Sequence, residues 1–305
     1  GHGTHVAGTI AAAVNNGVGL VGVNPRARIM AIRIFDSSGR GSSADGIGAI
    51  LYAVQNGAKI INNSWGGYGY LQALADAVLY ASEQGVVVVC AAGNSNTSIP
   101  MYPASYPGAI SIAATDAHDD RASFSNYGAP VDIAAPGVAI LSLLSGNADL
   151  GAGRTISNKY AVLSGTSMAS PHAAGAFSLL YAAYPGLDPW IYQRVMQRAA
   201  NTNFYSRPAN TNFIGRLGSG RIDVHAALTY SATNLFVTVR PLTAGPAGFR
   251  PLPGSTNPLQ VRVATWLTGV SNASVRAVAL TPDLTLNTTN LTIGVVPGST
   301  VLSYS

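Results

Sequence analysis

Ionised side chains are scarce in this chain. Lys and Arg number 17 and Asp and Glu 12 among 305 residues, so charged residues make up 10% against 48% hydrophobic. The net charge of +5 reflects few acids rather than basic clusters. No run of Lys and Arg would track a phosphate backbone, so nucleic acid is not an expected partner. A single cysteine, Cys90, excludes an internal disulfide, and its place at the end of "VVVVC" reads as a buried core thiol. Long hydrophobic runs are also missing. The apolar stretches are broken by Gly, Pro and Asn, and no transmembrane helix is expected. The chain opens on Gly1 without a Met, so the lack of a leader says nothing about export, and both ends read as cut.

What remains is ample apolar material for a packed core, punctuated by 34 Gly and 17 Pro. As far as about residue 230, short apolar runs alternate with helical patterns. "RIMAIRIF", "KIINNS", "VVVVC", "AISIAAT" and "VDIAA" read as strands. "HVAGTIAAAV", "SADGIGAILYAVQNGA", "LQALADAVLYASEQG", "SMASPHAAGAFSLLYAAYPG" and "DPWIYQRVMQRAA" read as helices. Asn56-Gly57, Gly85 and Pro185-Gly186 stop three of them, and Pro189 suits a first turn. The expected fold is α/β: a mostly parallel sheet with helices on both faces. Beyond Tyr230 the texture changes. Residues 231–258 are rich in Pro and Gly and read as linker, and "LQVRVATWL", "VRAVAL" and "LTIGVV" read as strands of a small β-rich segment over 259–305.

Three places could carry covalent chemistry. "LSGTSMASPHAAG" sets Ser167 at the start of a long helix, after Gly165. A serine hydroxyl needs a base within reach and donors for the oxyanion it creates, and a helix N-terminus favours negative charge. Alone, such a serine is also an ordinary helix cap. "GHGTHVAGTI" offers His2 as the base, or as a structural hydrogen-bonding residue. A metal pair of His2 with His5 fits less well, with no carboxylate at helical spacing. "CAAGNSN" ends a strand and turns at Gly93, placing the Asn94 amide where open α/β sheets bind ligands, or simply in a turn.

In this order, "HGTHVAGT", "AAGN" and "GTSMASPH" resemble the subtilisin-like serine proteases, and the match runs on through "IINNSWG" and "ASFSNYG…VDIAAPG" over roughly residues 1–230. The resemblance implies a subtilisin-like catalytic domain there and a serine endopeptidase acting through an acyl-enzyme. His2 would be the general base, Ser167 the nucleophile, and Asn94 an oxyanion donor beside the Ser167 N–H; His5 and His172 would be structural. Ser64, Trp65 and Gly66 resemble one substrate-pairing strand, and Gly39, Arg40 and Gly41 the other. Ala91, Ala92 and Gly93 would floor the pocket for the residue before the cut, with room for a medium or large apolar side chain.

The family's triad Asp sits on a strand ahead of the His motif, and no Asp here occupies that motif. The chain is therefore expected to lack its catalytic Asp and to be impaired without it. "VNNGVGLVG" resembles a calcium loop, which implies Val14, Asn16, Val18 and Leu20 as oxygen ligands of a structural Ca2+. The resemblance also implies protein or peptide substrates, an upstream propeptide and secretion. The competing expectation is a non-catalytic relative that binds peptides or partners or serves as a scaffold. An esterase fits less well, because Gly165-Thr166-Ser167-Met168-Ala169 is not a Gly-X-Ser-X-Gly turn.

Overall fold

A computed structural model describes residues 1–230, except 147, 149–153 and 158, together with the backbone of five later strands. The chain divides into two compact units, Gly1–Leu228 and Thr229–Ser305.

The first unit is built on four parallel strands. β1 (Ile60–Asn63), β2 (Val87–Ala91), β3 (Ala109–Thr115) and β4 (Ile133–Pro136) lie in chain order across the sheet. Every residue of β2 is buried, as a strand covered on both faces requires. On one face, Val88 and Cys90 meet a cluster from α2 (Ser43–Gln55) and α3 (Gln72–Glu83), including Ile50, Leu74 and Val78. α4 (Thr166–Ala183) crosses β1 to β4. α1 (His2–Ala11) packs on α4, as do α5 (Pro189–Ala199) and α6 (Val224–Leu228). Ser42 and Asp45 form a reciprocal capping box on α2, and Asp188 caps α5, with Pro189 at its first position.

An antiparallel sheet absent from the sequence-based expectation, β5 (Ile140–Leu143), β6 (Thr155–Ser157) and β7 (Tyr160–Leu163), runs in the order β5-β7-β6. It fastens α1. His5 is fully buried, its Nε2 lies 3.0 Å from the Ile140 carbonyl and 3.2 Å from that of Ala161, and Ser142 Oγ donates to the His5 carbonyl at 2.7 Å. A side chain at Gly8 would run into Ser142 and Leu143, so the small residues of α1 permit this approach.

One expected strand is missing. Residues 28–35, "RIMAIRIF", form no strand and pair with none among the described residues, and Ile29, Met30, Ile32 and Phe35 are exposed. β-branched alternation makes a strand only where a neighbour takes up the backbone N–H and C=O groups. The sheet ends at β1, whose outer edge has no partner among the described residues. The opposite edge is covered: Ala134 of β4 accepts from Ile222 N at 2.8 Å and donates to the Gly220 carbonyl at 2.9 Å.

The second unit contains β8 (Leu235–Pro241), β9 (Leu259–Thr265), β10 (Val270–Arg276), β11 (Asn290–Val296) and β12 (Val301–Tyr304). They pair antiparallel as β12-β9-β8 and β10-β11. β8 falls inside the stretch read as linker; the rest of 242–258 lies outside the described residues.

Candidate active site

Ser167 stands in the first turn of α4, behind the Gly165 N-cap. Its N–H has no partner among the described residues, and the helix dipole adds partial positive charge there. Asn94, at the end of the loop leaving β2, reaches the same helix end. Its Oδ1 accepts from Thr166 N and from Thr166 Oγ1, each at 2.8 Å. Thr166 Oγ1 in turn accepts from Gly93 N at 3.1 Å. With its oxygen occupied twice, the Asn94 carboxamide must turn its NH2 the other way. A methyl at Gly165 would lie 3.4 Å from Asn94 Nδ2 and 3.6 Å from Ser167 N. Two N–H donors thus flank one small space that exists because residue 165 lacks a side chain.

Gly93 has φ +111, a backbone that other residues rarely adopt, and the Asn126 side chain occupies the place of its missing Cβ. Asn126 Nδ2 donates to the Ala92 carbonyl at 3.0 Å, while its Oδ1 accepts from Ser95 N at 2.9 Å. Neither Asn126 nor Thr166 was identified from sequence; each acts through a partner 31 or more residues away.

His2 begins α1 and remains accessible, on a helix packed against α4. The atoms crowded beneath its ring, and then His5, hold its pKa below the ordinary imidazole value. No hydrogen bond joins His2 to Ser167 among the described residues; Ser167 Oγ donates instead to the Ser64 carbonyl at 3.1 Å. His172 is deep in α4, its Nδ1 2.8 Å from the Met168 carbonyl, and burial lowers its pKa. Cys90, in β2 beside Asn63 of β1, has Asn63 Nδ2 at 3.5 Å, and burial pushes its thiol up to about 12, so it is an inert core group.

The expected substrate-pairing residues separate by role. Ser64 touches Ser167 directly. Trp65 packs into the α2–α3 core, against Gly46. Gly67 pairs with Tyr102 through two hydrogen bonds of 2.8 Å. Arg40 uses its backbone inside a turn: Asp36 N donates to its carbonyl at 2.8 Å and its own N–H reaches Asp36 Oδ1 at 3.0 Å. The Gly39 carbonyl and both polar groups of Gly41 have no partner among the described residues. Ala91 and Ala92 are buried. A methyl at Gly66 would lie 2.6 Å from Met101 Cε, and one at Gly93 2.8 Å from Met101 Sδ. The Met101 thioether thus lies between these two segments.

Val14, Asn16, Val18 and Leu20 share one loop in which Asn15, Gly17 and Gly19 all have positive φ. Asn16 Oδ1 accepts from Val18 N at 3.1 Å. No group of three or more His, Cys, Asp or Glu suited to a metal occurs among the described residues, so any cation here would meet backbone and carboxamide oxygens.

A serine at a helix N-terminus, beside a carboxamide from a parallel strand's carboxyl end, is an arrangement suited to hydrolytic chemistry in α/β folds. The sequence model of the Subtilase family (Peptidase S8) matches residues 1–220, and the chain belongs to this family. It is 48% identical over 179 residues to Thermophilic serine proteinase of Bacillus sp. (strain AK1), covering 59% of this chain and 42% of that one. Thermitase of Thermoactinomyces vulgaris is 47% identical over 180 residues, 59% of this chain and 61% of its own. The chain thus spans less than two thirds of each of these two relatives. Subtilisin DY of Bacillus licheniformis is 41% identical over 234 residues, 74% of this chain and 77% of its own. Among solved structures, one of proteases from Pseudoalteromonas arctica PAMC 21717 superposes with a TM-score of 0.65 at 31% identity, over 74% of this chain and 70% of that one.

Proposed function

We propose that the protein containing this chain is a serine endopeptidase in which Ser167 attacks the scissile carbonyl, His2 takes its proton, and Asn94 Nδ2 with Ser167 N–H holds the oxyanion. The observation that carries this reading is the pair of donors flanking the space beside Gly165, with Asn94 locked by Thr166. The hydroxyl must leave the Ser64 carbonyl and turn to His2 when substrate binds, a tightening common when free enzymes engage substrate. His2 then needs a carboxylate on its other nitrogen. We place that Asp on a strand preceding Gly1 that pairs between β1 and residues 28–35, because β1 and "RIMAIRIF" both present unpaired backbone.

The substrate is an extended peptide whose backbone pairs with the free groups of Gly39 and Gly41 and with the segment after Ser64. Met101 restricts the residue before the cut to a small side chain. The calcium loop fits a hard cation through neutral oxygens, with the left-handed residues 15, 17 and 19 alternating with Val14, Asn16, Val18 and Leu20. Bound there, Ca2+ would brace the loop that follows α1. Synthesis as a precursor and export belong to this reading, supported by the kinship to bacterial serine proteases.

Casein hydrolysis by the full-length protein tests the reading. Ser167→Ala should abolish it, and Asn94→Ala should lower kcat by about 10²- to 10³-fold, the size established for removing this donor in a subtilisin. Unchanged hydrolysis by Ser167→Ala would refute the assignment.

A further inference from the structure

The carbonyl of Ser167 is one that α4 cannot satisfy. Its donor would be the N–H four residues on, and position 171 is a proline inside the helix. A side chain takes up the vacancy: Ser64 Oγ donates to the Ser167 carbonyl at 2.8 Å. A hydroxyl has one proton, so Ser64 must be met at its lone pairs by a donor, and Asn62 Nδ2 lies there at 2.9 Å. That fixes the Asn62 amide with Oδ1 facing away, where it accepts from Ser170 Oγ at 2.7 Å. Ser170 is fully buried, next to the proline. The path Ser170, Asn62, Ser64, Ser167 therefore leaves α4, crosses β1 and returns to the same helical turn, with a single polarity throughout. The Ser64 carbonyl closes a second contact by accepting from Ser167 Oγ at 3.1 Å.

We propose that Asn62 is a positioning residue for the nucleophile. Through Ser64 it holds the Ser167 peptide group in place of the helix bond that Pro171 removes, and so sets where the hydroxyl and N–H of Ser167 point relative to Asn94. This rests on the peptidase reading given above. The bond pattern makes Asp a discriminating substitute. It matches Asn in shape and still accepts from Ser170, but it has no proton for Ser64. The Ser64 hydroxyl would then turn its own proton toward the carboxylate and release the Ser167 carbonyl.

Kinetics of the full-length protein on a peptide p-nitroanilide test this. Asn62→Asp and Asn62→Ala should each lower kcat by about 10- to 100-fold, the scale of a small misplacement of a reacting group, with KM changed by less than about twofold. The rate at which a fluorophosphonate labels Ser167 should fall in step, at temperatures well below each variant's melting point. Ser170→Ala, which removes the outermost link, should act in the same direction and less strongly. Pro171→Ala brings an N–H to position 171 and lets the helix satisfy the Ser167 carbonyl, so in that background Asn62→Ala should cost less than about threefold. Wild-type kcat in Asn62→Asp, or an equal loss from Asn62→Ala with and without Pro171→Ala, would overturn the positioning role. A raised KM at unchanged kcat would make Asn62 a substrate contact instead. Absence of both hydrolysis and labelling in the unsubstituted protein would bring down the peptidase reading itself, and the positioning role with it.

Discussion

Ile112, in the middle of β3, is sealed from solvent, whereas Ile32, in another isoleucine-rich run that reads as a strand, keeps 36% of its surface exposed. Both belong to segments in which isoleucine recurs. The difference is partnership. β3 has a parallel neighbour on each side and helices above and below. Residues 28–35 pair with no strand among the described residues, and the sheet stops at β1. Strand propensity thus reports what a segment can do beside a neighbour, and the site inherits the consequence. Ser167, Thr166 and Asn94 sit at the closed middle and form a tight network. His2 lies on a helix secured by the small antiparallel sheet, without a hydrogen bond to Ser167 among the described residues.

The largest effect should come from closing the open edge. Restoring an Asp-bearing strand ahead of Gly1 should raise kcat by on the order of 10⁴, the loss established for removing the triad Asp in a subtilisin. Amide exchange of residues 28–35 should slow at the same time. If those amides stay unprotected while activity rises, the strand docks elsewhere. Next come core substitutions. Phe177, 1% exposed in α4, should cost about 3–5 kcal/mol on replacement by Ala, while Ile32→Ala should change stability by less than about 0.5 kcal/mol; denaturant titration of both checks the contrast, and equal costs would show residues 28–35 packed in solution.

Within the closed region, Met101→Gly should raise kcat/KM for a Phe ahead of the cut over Ala by about 10-fold or more, the range that a few methylenes command in an apolar pocket. Paired p-nitroanilide substrates measure this, and an unaltered ratio would remove Met101 from the pocket. The smallest effect concerns pH. His5 and His172 have lowered pKa values because both are buried. The unfolded chain therefore takes up their protons first, from about pH 6.5 downward, and their contribution to stability, complete above that value, is lost as pH falls through the folded values. Asp132 acts oppositely. Burial pushes its carboxyl up to about 6, so its contribution is present at low pH and lost as pH rises from about 4 to 6. His172→Gln should shrink the fall in Tm between pH 7 and pH 5 by about 2–4 °C.

The closed part of this molecule was legible from residue patterns. "AISIAAT" spans β3 end to end, and Pro189 opens α5 as its place in the sequence implied, because local chemistry and burial there point the same way. "RIMAIRIF" misled because its partner is not encoded within it. The β5–β7 sheet escaped notice because its strands carry no buried apolar run: β6 is exposed along its whole length, and β5 and β7 each bury a single residue. At the site, His2, Asn94 and Ser167 lie in recognisable motifs. Thr166, Asn62, Ser170 and Met101 do not announce themselves, since each matters only through side chains or glycines brought close by folding.

Fluorophosphonate labelling of the full-length protein, with the adduct mapped by mass spectrometry, tests the central claim most directly. The account predicts one adduct, on Ser167, absent in Ser167→Ala and slowed in Asn94→Ala. An adduct on another serine, or none on a protein that carries its upstream Asp, would contradict it.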